Sequence, residues 1–118
     1  MAKDDYFVLV CKILCYLYSC LKSGKPVDLN YLTNQNKQFA VNDRYWNYIL
    51  LTMAEDEYIR YVHIQPGDDY SEVILDEDVQ ITPKGIEYLQ ESSVMKKAFK
   101  AIKEIKDLGF SLIGLMPK

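Results

Sequence analysis

Apolar positions recur at helical spacing along residues 6–21. Val10, Leu14, Leu17 and Leu21 form one stripe, which Phe7, Ile13 and Cys20 widen. Asp4 or Asp5 supplies an N-cap, and Ser23, Gly24, Lys25 and Pro26 end the helix at about Leu21 or Lys22. So few positions are polar that this helix is expected to be wrapped on most sides or shared with a second subunit. Asp28 then caps a short helix over residues 29–34, and residues 34–38 read as a polar connector. Residues 43–57 make a third helix, capped by Asn42 with Asp43 in the first turn, where an acid suits the helix dipole. Trp46, Ile49, Leu50 and Met53 follow the core-facing spacing, which leaves Arg44, Asn47, Tyr48 and Leu51 on the outer side.

The pattern changes at Ile59. Residues 59–65, rich in β-branched and aromatic side chains, predict a strand. Pro66, Gly67, Asp68 and Asp69 form the turn, and residues 72–75 the returning strand. Asp76, Glu77 and Asp78 make an acidic elbow before Val79, Gln80 and Ile81, a strand end that runs straight into a helix. Thr82 is the expected N-cap of that helix and Pro83 its first residue, with Ile86 and Leu89 turned inward and Lys84, Glu87 and Gln90 in water. Ser92 and Ser93 break and recap the chain. A last helix over residues 94–108 carries Met95, Phe99, Ile102 and Ile105 on one stripe with Ala98 beside it, surrounded by Lys96, Lys97, Lys100, Lys103 and Lys106. Gly109 stops it. The apolar tail that follows, with Phe110, Leu112, Ile113 and Met116, must pack or associate.

Helix, short helix, helix, hairpin, helix is the order of a winged helix-turn-helix with an added helix, a mostly α fold with one small antiparallel hairpin. Residues 1–91 are the expected winged-helix domain. Residues 92–118 are an amphipathic helix and tail, packed on that domain or in a dimer interface. The stretch Ile81-Thr82-Pro83-Lys84-Gly85-Ile86-Glu87-Tyr88-Leu89, followed by Lys97-Ala98-Phe99-Lys100-Ala101-Ile102-Lys103-Glu104-Ile105-Lys106-Asp107, resembles the YjcQ-like family of small bacterial and prophage proteins. The resemblance covers residues 79–108 in sequence and residues 4–74 only in the order of elements. It implies a winged-helix fold and no established activity, so no functional residue carries over.

Composition narrows the reading. A chain of 118 residues supports one core. With 49% hydrophobic and 26% charged residues it is globular and not disordered. Asp4 and Asp5 stand where a signal peptide would be basic, and Lys12 interrupts an apolar run that is short for a membrane span, so a buried helix and no membrane are expected. Cys11, Cys15 and Cys20 lie in one helix with no His or acid to complete a metal site. They read as small buried hydrophobes of a reducing cytoplasm.

Little points to catalysis. His63 is the sole histidine and lies in a strand, and no nucleophile–base spacing stands out. The expectation is a protein that is not an enzyme and uses no cofactor, metal or small-molecule ligand. Fold analogy makes the first expectation a DNA-binding transcriptional regulator, of the kind prophages encode: Arg44, Asn47 and Tyr48 on the third helix would face the major groove of double-stranded DNA, Lys37 and Gln38 the phosphates, and Arg60 the neighbouring groove. Charge opposes this. Residues 42–91 hold three basic against twelve acidic residues, a net of −9, and an acidic face binds DNA weakly. Residues 92–118 hold six lysines against Glu104 and Asp107, a net of +4, which could pair with the acidic half within one chain or between chains. The alternative is therefore a protein-interaction module or homodimer, with Leu51, Phe110, Leu112 and Ile113 on its contact surface.

Overall fold

The computed structural model describes residues 2 and 4–116. Its elements are α1 (Tyr6–Ser23), a 3-10 turn (Lys37–Phe39), α2 (Asp43–Glu55), β1 (Ile59–Gln65), β2 (Glu72–Ile81), α3 (Pro83–Glu91) and α4 (Ser93–Ile102). The class is α+β, four α-helices with one two-stranded antiparallel sheet among the described residues.

α1 is the axis of the core. The Asp5 carboxylate accepts the Phe7 amide at 2.9 Å, and Gly24, at φ +70°, closes the far end. Every residue from Val8 to Leu17 is buried, because α4, α3, α2 and β2 all pack on α1. α1 is long and apolar enough to cross a membrane, with mean hydropathy 1.4, and 61% of it is buried inside the fold. The wrapping comes from one chain. Leu21 and Phe7, expected on the apolar stripe, instead lie exposed at its two ends.

Residues 29–34 depart from expectation. They form successive turns where a short helix was predicted. Asp28 does act as a cap, its carboxylate taking the Asn30 amide and its carbonyl the amides of Tyr31 and Leu32. Propagation then fails because side chains compete for the backbone. Asn36 donates to the Tyr31 carbonyl and caps the 3-10 turn through Gln38 N–H, while Asn34 reaches forward to the Val41 carbonyl and to Asp43. Lys12, fully buried on α1, donates to the Gln38 carbonyl at 2.9 Å and ties this connector to the core.

The hairpin starts and ends in regular pairing, with Ile59 opposite Ile81 and Gln65 opposite Glu72. Between them Arg60 pairs with Gln80 but Val62 pairs with Leu75, so residues 76–79 bulge opposite Tyr61, which sits at φ +67°. The acidic elbow is thus a bulge inside one continuous strand.

At the strand–helix joint, the Thr82 hydroxyl accepts the Gly85 amide at 3.0 Å and donates to the Glu57 carbonyl at 2.5 Å. Gly85 permits the close approach: a Cβ there would lie 2.4 Å from the Tyr58 carbonyl oxygen and 2.8 Å from Ile81 Cγ1. Tyr58 and Tyr88 stack across the joint at 4.3 Å. Ser92 ends α3 and caps α4 through the Met95 amide.

α4 ends at Ile102, six residues before the predicted stop. Tertiary bonds hold the following chain out of helix. Gln38 Nε2 donates to the Asp107 carbonyl at 3.0 Å, Lys37 pairs with the Asp107 carboxylate, and the Tyr31 hydroxyl donates to the Leu108 carbonyl. The tail folds back on its own chain: Phe110 packs edge-on to Tyr16 and Tyr31, Leu115 is buried, and Lys22 donates to the Gly114 carbonyl at 2.6 Å.

Candidate interaction surfaces

The outer face of α2 is not the polar reading surface that its spacing suggests. Asn47 is only 6% exposed, because the start of β2 folds over that side of the helix. Its carboxamide is engaged at both ends, Oδ1 accepting the Val73 amide at 2.6 Å and Nδ2 donating to the Ser71 carbonyl. The expectation that Asn47 faces outward is therefore corrected; it is the clamp between helix and hairpin. Gln38 is corrected in the same way, buried with its amide on Asp107 and its carbonyl on Lys12. Both pairings close over long sequence separations, which helical periodicity does not register.

The other predicted polar residues are on the surface but partnered. Lys37 is bound to Asp107, whose carboxyl this hydrogen bond holds below the usual carboxylate range. Arg60 holds the Gln80 side-chain oxygen with two nitrogens, at 2.8 and 2.5 Å, and lies over the Tyr61 ring. Arg44 is exposed on the first turn of α2, its guanidinium 5.2 Å from the Tyr70 ring at the hairpin tip.

What α2 presents is aromatic. Tyr48 is 56% exposed and meets Tyr6 edge-on at 6.1 Å; Tyr6 in turn meets Phe7, 38% exposed, at 5.1 Å. Tyr6 is fixed by a 2.7 Å bond to the Thr52 hydroxyl, and burial raises its own hydroxyl pKa. Tyr45 borders the group and donates to the Asp4 carbonyl at 3.3 Å. Periodicity within each helix separates these rings, since Tyr6 and Phe7 enter from the start of α1; only the packing of α1 on α2 unites them. Leu51 is half-buried and packs on the core.

Of the tail residues predicted to meet a partner, Phe110 and Leu112 are half-buried and pack on the core cluster, while Ile113 stands out at 92% exposed. His63 faces Asp76 at 3.5 Å on the open side of the hairpin. The three thiols are buried and free of disulfides. Cys15 is held protonated, its pKa well raised by its hydrogen bond to Cys11 and by burial, which makes it a poor nucleophile. Among the described residues no group of three or more His, Cys, Asp or Glu side chains is placed to hold a metal ion.

A second feature lies beside α4. A groove of about 600 Å³ runs beside α4, floored by Val8, Ala101 and Ile105 and rimmed by Lys97, Lys100 and Lys106. Glu104 and Asp107 also border it, the latter already bound to Lys37.

Neither a curated protein nor a solved structure matches the chain. The profile of the family described as YjcQ protein matches residues 11–108, from the second turn of α1 to the end of the segment after α4. The match spans well over half of the chain, and the chain belongs to the YjcQ protein family.

Proposed function

We propose that this chain is a non-enzymatic regulatory module that uses a winged-helix scaffold to bind another protein. The observation that carries this reading is the α2 face, where exposed Tyr48 and Phe7 stand around Tyr6 and the one amide suited to reading a base is locked beneath the hairpin. Exposed aromatics held rigid by their neighbours are favourable anchors for a protein partner, because they bury large area at little entropic cost. The buried Cys15 thiol, kept protonated, and the lone histidine on the exposed hairpin support a role without catalysis.

Double-stranded DNA is the second reading, favoured by the exposed Arg44 on the first turn of α2. Two measurements separate them. A photo-crosslinking residue in place of Tyr48 in the producing cell is expected to give a discrete protein adduct that Phe7→Asp abolishes. Titration of mixed duplex DNA at low salt is expected to give no binding. A nucleic-acid adduct, or duplex binding that fades with salt and weakens on Arg44→Ala, would make DNA the ligand.

A further inference from the structure

The chain separates its charge. The hairpin, residues 59–81, carries six acidic residues against Arg60; the segment 93–107 carries five lysines against Glu104 and Asp107. Neutralisation inside the molecule is the simplest use of such a pattern, and it does not occur. The ion pairs among the described residues are Lys37–Asp107 and His63–Asp76, and neither joins the two regions. Lys103 lies over Phe99, and Lys96, Lys97, Lys100 and Lys106 have no carboxylate within ion-pair distance among the described residues.

Apolar and charged groups alternate in the same way on both patches. The groove beside α4 has an apolar floor, and its rim carries Lys97, Lys100 and Lys106 against Glu104 and the Lys37-bound Asp107, so the rim is basic on balance. The hairpin tip carries the matching chemistry: Tyr70 is 37% exposed even with Arg44 5.2 Å from its ring, and it is flanked by the exposed Asp68, Asp69 and Glu72. Gly67 gives the tip its tight form, since a Cβ there would sit 2.3 Å from the Tyr70 carbonyl oxygen.

We infer that the α4 groove receives the acidic hairpin tip of a second copy of this chain, Tyr70 over the apolar floor and the tip carboxylates against Lys97, Lys100 and Lys106. Each molecule has one donor tip and one acceptor groove, so the contact is made once per neighbour in a head-to-tail chain or twice in a closed two-fold pair. Attraction between such patches is electrostatic and screened by salt. The tip rests on α2 through Arg44 and Asn47, but none of the substitutions below touches Tyr48, Phe7 or Arg44, so the test does not alter the residues of the preceding reading.

The test is sedimentation of the full chain across concentration at about 0.02 M and about 0.5 M salt. At low salt the average mass should climb above the 13.8 kDa monomer with concentration, and at high salt it should return to it. Lys97→Glu with Lys100→Glu makes groove and tip both acidic; Asp68→Lys with Asp69→Lys makes both basic. Each double variant alone should associate at least about tenfold more weakly than the natural chain. Mixed in equal amounts, the two should associate again, because each then meets an opposite partner, a rescue that misfolding cannot produce. A natural chain that stays monomeric at low salt, or a mixture no heavier than its components, overturns the inference. So does a groove whose lysines retain duplex DNA while the protein stays monomeric, which would assign them to phosphate.

Discussion

The strand–helix joint at residues 79–89 and the connector at residues 24–42 solve the same problem in opposite ways. Each must turn the chain sharply between two core elements. The joint does so with neighbours: Thr82 caps Gly85 three residues on, and Pro83 starts the helix. The connector does so with distant partners: Lys12 reaches Gln38, Tyr31 reaches Leu108, and Gln38 reaches Asp107. Chemistry that closes within one turn is written in local sequence, and chemistry that closes across the fold is not.

Lys12→Ala should have the largest effect on this contrast. It removes a buried stem and leaves the Gln38 carbonyl short of a donor, an expected loss of about 3–4 kcal/mol in urea unfolding. A loss under about 1 kcal/mol would mean that the connector is not held from α1. Gly85→Ala comes next, at about 2–3 kcal/mol, because its Cβ meets the Tyr58 carbonyl, a backbone group that cannot swing aside. An unchanged midpoint would remove close approach as the reason for glycine there. Asn36→Ala should cost about 1 kcal/mol, the worth of a local cap, and should speed amide exchange at Gln38 while leaving Gly85 protected. Equal loss of protection at both amides would abolish the distinction.

The smallest effect at neutral pH belongs to Tyr16. Burial holds its hydroxyl neutral up to about 12, against 10 for a free tyrosine, although the Asp28 amide it accepts works the other way. The folded pKa lies above the unfolded one, so this stabilisation is complete below pH 10 and fades as pH rises toward 12. Tyr16→Phe should flatten the fall in urea midpoint across that window; an unaltered slope would assign it to other tyrosines, Tyr31 first, whose pKa burial also raises.

The same division explains what was legible. The caps Asp5, Asn42, Thr82 and Ser92 all act as their positions suggest, and β1 matches its expected residues, because capping and strand propensity are local. The core side of α2 follows its periodicity through Trp46, Ile49, Leu50 and Met53. Asn47 fails because its partners on residues 71 and 73 arrive only when the hairpin folds over the helix. α4 ends early for the same reason, its predicted continuation being claimed by Lys37, Gln38 and Tyr31. The candidate surface is half legible: helical spacing puts Tyr48 on the outer face but puts Phe7 on the apolar stripe of α1, and the aromatic group exists only after α1 and α2 pack.

The bulge opposite Tyr61 divides the hairpin into two mechanical parts. Below it, the Ile59–Ile81 pair is continuous with the Thr82 joint and so belongs with α3. Above it, residues 71 and 73 are tied to α2 by Asn47, and Arg44 leans on the tip ring. A load applied at the tip would therefore travel down α2 to the aromatic face around Tyr48 before it reached α3. The hairpin is less a flap on the surface than a lever whose short arm is helix α2.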